Sequence, residues 1–149
     1  MKITLCGSIA FFDEMLSIQK ELESFGHEVK LPPHEIKDDN GDMIPVKQYY
    51  AIRKSTDKND GWIWDAKEKA MRTHFKKVEW SDVVLILNYD KNNIINYIGA
   101  NTLLEMGLAF HINKPIYLLN PIPEISYKEE ILGMKPMVLN GDLSTLNKN

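Results

Sequence analysis

The run Val83–Leu87 constrains the fold more than any other stretch, because all of its side chains are aliphatic. A strand with one face in water alternates polar and apolar residues, and this run has no polar face. Continuous apolar runs are typical of central strands in parallel sheets, whose two faces are covered by helices. The run therefore predicts an α/β domain with Val83–Leu87 in the middle of its sheet.

Strands and helices alternate on both sides of this run. Lys2–Cys6 reads as a strand that breaks at Gly7, and apolar residues recur at helical spacing between Phe11 and Phe25. Further predicted elements are strands at His27–Leu31, Pro115–Leu119 and Met137–Leu139, and helices at Val46–Lys54, Trp64–Trp80, Gly99–Ile112 and Tyr127–Leu132. This order predicts a single-domain, Rossmann-like (flavodoxin-like) three-layer sandwich with a mostly parallel five-stranded sheet.

The chain of 149 residues fits one domain, 1–149. Turn-rich composition at 33–61 predicts an excursion over the surface or a lid, and 140–149 reads as a polar tail. Aromatic residues of the excursion can stack on a flat ligand or pin the loop to the core, and the pattern leaves both open. They are Tyr49, Tyr50, Trp62 and Trp64.

Composition narrows the class of ligand. Eighteen Lys and Arg against 21 Asp and Glu give a net charge of −3, so no global positive field attracts a polynucleotide or an anionic membrane. No stretch approaches the roughly 18 apolar residues of a membrane span, and the single cysteine, Cys6, suits a reducing compartment. We expect a cytoplasmic protein with a small-molecule ligand. The net charge does not disfavour a small ligand that carries a phosphate group.

The topology itself nominates a ligand site. In parallel α/β sheets ligands bind beyond the carboxyl ends of the strands where the strand order reverses, which selects Cys6–Phe12 and Asn88–Asn101. Gly7 and Ser8 offer donors for a phosphate or sugar oxygen, or form a plain tight turn. Because neither a GxGxxG fingerprint nor a phosphate-loop pattern is present, we expect no nucleotide cofactor.

Glu105 places a carboxylate in an otherwise apolar helical stretch. Residues three and four apart share a helix face, so Asn101, Thr102 and Glu105 line one stripe that opens toward the helix start. A carboxylate there can attack a carbon that develops positive charge, such as the anomeric carbon of a sugar. The alternative is a glutamate on the solvated face of an amphipathic helix.

Histidine and cysteine give weaker signals. The four histidines show no metal-binding spacing such as HExxH, so we expect no metal site. His74 lies on the helix that leads into the central strand and is either a structural or a functional histidine. Cys6 has no second cysteine nearby, which favours a small buried side chain over a nucleophile.

Three stretches together resemble the nucleoside 2-deoxyribosyltransferase superfamily, which includes 2′-deoxynucleoside 5′-phosphate N-hydrolases. They are Leu5–Ile9, Ser81–Leu85, and Leu104–Phe110 with Lys114–Ile116 after it. The resemblance implies N-glycosidic bond cleavage or glycosyl transfer on a (deoxy)nucleoside or its 5′-monophosphate. It also implies a homodimer or a higher homo-oligomer.

The resemblance assigns roles to individual residues. Glu105 matches the family's nucleophile, which attacks C1′ of the sugar and releases the base. Gly7 and Ser8, with the adjoining Ile9, match the turn that contacts the sugar or its 5′-phosphate. Gly99 and Asn101 match the segment that binds the 5′ end of the substrate.

Two positions depart from the family pattern. Thr4 stands where the family usually has tyrosine, and His74 stands where it usually has aspartate. His74 is then the candidate to replace that acid in activating the leaving base or water. These departures also support an alternative, a non-catalytic nucleotide-binding or sensing module on the same fold.

Overall fold

Strands and helices alternate in the computed structural model, which describes residues 1–55 and 60–148. The strands are β1 (Lys2–Gly7), β2 (Glu28–Lys30), β3 (Glu35–Lys37), β4 (Met43–Pro45), β5 (Val83–Leu87), β6 (Ile116–Leu118) and β7 (Met137–Val138). The helices are α1 (Phe12–Ser24), α2 (Val46–Ser55), α3 (Gly61–Trp80), α4 (Ala100–His111) and α5 (Lys128–Gly133). Short 3-10 helices cover Ile9–Phe11 and Leu143–Lys148. Residues 56–59 of the excursion predicted at 33–61 lie outside the described residues.

The main sheet has five strands in the order β2-β1-β5-β6-β7, and every adjacent pair is parallel. The predicted fold class is confirmed, with β5 at the centre and every one of its residues buried. The strand order reverses between β1 and β5, where Gly7 pairs with Leu87 at the ends of the strands. A crevice is expected beyond these two ends.

Helices cover both faces of the sheet, which explains why β5 has no polar face. On one face Met15 and Leu22 of α1 pack against the sheet residues Ile3, Leu5 and Leu85. The helices of the other face contribute Val78 from α3, Met106 from α4 and Ile131 from α5. Because helices exclude water from both faces of the sheet, all the aliphatic side chains of β5 are buried.

The excursion at 33–61 has a small core of its own. Strands β3 and β4 form an antiparallel hairpin, and Ile36, Val46 and Tyr49 pack with Ile63 of α3. The Tyr49 hydroxyl donates to the Ile63 carbonyl at 2.6 Å, and its ring meets Trp62 edge-on. Tyr49 and Trp62 therefore pin the excursion to α3.

The segment predicted as a polar tail, 140–149, contributes two side chains to the core. Leu143 and Leu146 are buried in the cluster that covers the α1 face of the sheet. Residues three apart eclipse one another in a 3-10 helix, so both leucines point to the same side while their polar neighbours face water.

None of the helices within 1–55 and 60–148 combines the length and the apolarity needed to cross a bilayer.

Leu104 and Phe110 of α4 are more than half exposed, whereas Leu103 and Leu108 pack against the core. The homo-oligomer implied by the resemblance remains a prediction.

Candidate active site

A cavity of about 300 Å³ opens beyond the carboxyl ends of β1 and β5, between α2, α3 and α4. It lies where the strand order reverses, as the topology predicted. The residues to which the family resemblance assigns a role all line this cavity. They are Gly7, Ser8, Ile9, His74, Gly99, Asn101 and Glu105.

Gly7 is required where β1 enters the cavity wall. A Cβ atom at this position would lie 2.8 Å from the Leu87 carbonyl oxygen, so the two strand ends approach one another too closely for any side chain. Ser8 follows, and its hydroxyl accepts a hydrogen bond from the Ala10 amide at 3.3 Å. The turn is structurally necessary and also forms part of the cavity wall.

Glu105 lies on the buried side of α4 and is 3% exposed, so the solvated-face alternative does not apply. The Asn101 side-chain amide, one turn earlier, donates to Glu105 Oε1 at 2.9 Å. Lys67 Nζ donates to Asn101 Oδ1 at 3.4 Å. Because an ammonium group can only donate, the amide oxygen of Asn101 faces Lys67 and its NH₂ faces the carboxyl group.

His74 of α3 and Cys6 of β1 adjoin the same carboxyl group. His74 Nε2 lies 3.7 Å from Glu105 Oε1, and both side chains are almost fully buried. Glu105 Oε2 and both ring nitrogens of His74 lack a well-formed hydrogen bond within the described part of the chain. Buried polar atoms are normally satisfied, so these unpaired atoms indicate a place for a polar ligand.

Burial sets the protonation of this cluster. It raises the pKa of Glu105 to about 8, opposed by hydrogen bonds from Cys6 and Asn101 and by the charge of Lys67. Burial also lowers the pKa of His74 to about 3, helped by the charge of Lys77 and opposed by a poorly aligned contact with the backbone of Leu5. The pKa of the Cys6 thiol is raised well above its usual value, again mainly by burial. At neutral pH the cluster is therefore mostly uncharged.

Cys6, His74 and Glu105 also form a set that the histidine spacing did not reveal. Their potential ligand atoms lie within 4.8 Å of one another, and zinc accepts all three residue types. A metal would need the thiol and the carboxyl group ionised, whereas burial raises the pKa of both. Burial therefore favours the protonated forms of Cys6 and Glu105 over their metal-binding ionised forms.

The basic residues of the cavity wall are not predicted from the sequence. Lys67 lies on α3 two turns before His74, a spacing that places both on one helix face. Lys91 lies in the nominated segment Asn88–Asn101, but nothing in its surroundings marked it. Arg53 and Lys54 come from α2, within the excursion, and only the tertiary structure brings them to the cavity.

The loop after β5 holds Lys91 through a tight turn. Lys91 and Ile94 form an isolated antiparallel bridge, and the two residues between them, Asn92 and Asn93, have φ values of 53° and 59°. Two successive left-handed residues form the turn that best matches the twist of a hairpin, and asparagine tolerates this conformation. The loop therefore presents Lys91 and Tyr97 to the cavity.

No protein-family model and no curated protein matches the chain. Among solved structures, it resembles the 2-deoxyribosyltransferase of Bacillus psychrosaccharolyticus with a TM-score of 0.51 and 16% identity, over 81% of this chain and 73% of that one. The CMP N-glycosidase BcmB of Clostridium botulinum gives a TM-score of 0.48 and 16% identity, over 93% and 85% of the two chains. The similarity to the 2-deoxyribosyltransferase confirms the α/β fold that the sequence predicts.

Proposed function

We propose that this protein cleaves or transfers the N-glycosidic bond of a (deoxy)nucleoside or its 5′-monophosphate, with Glu105 as the nucleophile. The observation that carries the proposal is the buried carboxyl group of Glu105, which lines the cavity at the strand reversal and has one oxygen without a hydrogen bond. The motif resemblance and the shared fold support the same chemistry.

The reaction begins when an ionised oxygen of Glu105 forms a bond to C1′ of the sugar. The C1′–N bond breaks, and its electron pair leaves with the base, which takes a proton from water. Water or a second base then forms a bond to C1′ and releases its own proton to water, while the Glu105–C1′ bond breaks and its electron pair restores the carboxylate. A carboxylate in a cavity shielded from water stabilises the positive charge that develops on the sugar, and covalent capture follows.

Asn101 and Lys67 hold this carboxylate in place. The amide of Asn101 orients Oε1, and the charge of Lys67 favours the ionised form of Glu105. The hydrogen bond from Asn101 is stronger when Glu105 is ionised, because a charged acceptor forms a stronger hydrogen bond than a neutral one.

The low pKa of His74 makes it a neutral group beside the reacting carboxylate. A neutral imidazole both donates and accepts a proton, and we assign His74 to the activation of the leaving base or of water. His74→Gln is expected to lower kcat by about a hundredfold or more with little change in KM. Steady-state kinetics measure both parameters, and an unchanged kcat would contradict the assignment.

The rate should rise with pH through the pKa of Glu105. A nucleophile must be ionised, so we expect kcat/KM to increase about tenfold per pH unit below pH 8 and to level off above it. Base release between pH 5.5 and 9.5 measures this profile. A rise centred near pH 4.5, the ordinary pKa of glutamate, would contradict the effect of burial.

The proposal is tested by incubating the protein with the common nucleosides, 2′-deoxynucleosides and their 5′-monophosphates. Mass spectrometry should detect free base from at least one of them. A module that only binds would raise the melting temperature with its ligand and leave the ligand intact. Intact ligands throughout the panel, together with such a shift, would replace the proposed function by the binding alternative.

A further inference from the structure

We infer that the substrate is a nucleoside 5′-monophosphate rather than a free nucleoside, and that Lys91 selects it by binding the phosphate at the Ser8 end of the cavity. This inference rests on the proposed function and specifies its substrate class. It follows from the distribution of charge in the cavity wall and from the contacts of Lys91.

The cavity wall is strongly basic although the whole chain has a net charge of −3. Among the described residues that line it, four are cationic, whereas the buried Glu105 is the only acidic one. Within 1–55 and 60–148, none of the four has a carboxylate within 4.0 Å. The four are Arg53, Lys54, Lys67 and Lys91. Cations that converge on a cavity without carboxylate partners favour an anionic ligand.

Lys91 is held ready for such a ligand. Its Nζ donates to the Ser8 hydroxyl at 2.7 Å, and lies 5.3 Å from the ring centroid of Tyr97 and 5.5 Å from that of Tyr50. An ammonium group has three donors, and the bond to Ser8 uses one of them. The two rings restrict the flexible lysine stem, so less conformational entropy is lost when the ligand binds.

Arg53 adds a second cation next to the same ring. Its guanidinium carbon lies 4.9 Å from the ring centroid of Tyr50, so Lys91 and Arg53 both flank this tyrosine. A 5′-phosphate carries nearly two negative charges at neutral pH, whereas a nucleoside has none there. The pair of cations therefore matches the group that distinguishes the two substrates.

The cavity has two functional ends. Lys67 bonds to Asn101, which in turn bonds to Glu105, so this cation serves the reacting carboxylate. Lys91 bonds instead to Ser8 on the β1 turn, which is not a member of that chain of hydrogen bonds. A nucleotide with its C1′ at Glu105 extends its 5′ group toward Ser8 and Lys91. A volume of about 300 Å³ is at the small end of ligand cavities, which suits one phosphate rather than three.

The test compares each nucleoside with its own 5′-monophosphate in the wild type, Lys91→Met and Lys76→Met. We expect the wild type to favour the monophosphate in kcat/KM. Lys91→Met should lower kcat/KM for the monophosphate by about tenfold to a hundredfold, the range for a hydrogen bond to a charged group, and change the nucleoside reaction little. Lys76 is exposed on α3 and does not line the cavity, so Lys76→Met removes the same charge without this effect.

Two further measurements support the interpretation. The preference for the monophosphate should decrease as salt is added, because exposed charges are screened. Lys91→Arg should restore most of the preference, since it retains the charge. These results remain decisive if Lys91→Met proves too unstable to assay.

Equal kcat/KM for nucleoside and monophosphate in the wild type would overturn the inference, as would an equal loss on both substrates in Lys91→Met. Failure of the proposed function gives a different result. In that case no base is released from either compound, while the monophosphate alone still raises the melting temperature of Glu105→Gln. If neither compound has any effect, both the function and the substrate class are wrong.

Discussion

Glu105→Gln should lower the rate of base release by at least about a thousandfold while the nucleotide still binds. The side-chain amide of glutamine has almost the same shape as the carboxyl group and can still accept the hydrogen bond from Asn101. It cannot form a stable bond to C1′, nor can it supply the negative charge that stabilises the transition state. The loss should therefore appear in kcat, with little change in ligand affinity.

Single-turnover base release and a thermal-shift titration with the same nucleotide separate these two effects. Glu79→Gln is the matched control, because Glu79 is exposed on α3 and does not line the cavity. Turnover within tenfold of the wild type in Glu105→Gln would show that another group performs the chemistry.

The free energy of unfolding of Glu105→Gln, relative to the wild type, should rise by about 5 kcal/mol between pH 4.5 and pH 8. In the folded wild type the buried carboxyl group keeps its proton up to a pKa of about 8, whereas the unfolded chain releases it near 4.5. The unfolded state therefore binds fewer protons in this interval, so the stability of the wild type falls as pH rises. Glutamine has no proton to release, so the variant lacks this loss.

His74 contributes with the opposite sign, and to both proteins. Its folded-state pKa of about 3 lies below the ordinary value of 6.5, so it adds stability as pH rises from 3 to 6.5. Subtracting the free energy of unfolding of the wild type from that of the variant cancels the contribution of His74. The difference then reports the titration of Glu105, whose other charged or titratable neighbours are Cys6 and Lys67. Urea denaturation at intervals from pH 4.5 to 8.5 measures the difference. Parallel stability curves for the two proteins would contradict the raised pKa.

The fold was largely predictable because its signals are local and periodic. The aliphatic run Val83–Leu87 has one structural solution in an α/β chain of this size, and the predicted bounds of this strand agree with the structure. The 140–149 segment shows the limit of such signals. Two leucines in a polar stretch of ten residues have too little periodicity to predict a buried 3-10 helix.

The site was predictable in part because the carboxyl ends of parallel strands lie at one edge of the sheet. That rule, with the motif resemblance, selects Gly7, Ser8 and Glu105 from the sequence, and all three line the cavity. His74 was selected by its position relative to a motif, and it lies 3.7 Å from Glu105.

By itself, then, the sequence determined the succession of strands and helices along the chain, the central strand of the sheet and the carboxyl group that faces the cavity. These properties follow from hydrophobic periodicity and chain topology, which neighbouring residues specify. Only the tertiary structure decided which cations line the cavity and which protonation state Glu105 adopts. Arg53, Lys67 and Lys91 come from three separate segments, and the pKa of Glu105 depends on its burial and on the charge of Lys67. Electrostatic interactions and desolvation depend on distances through space, and these distances exist only once the chain has folded.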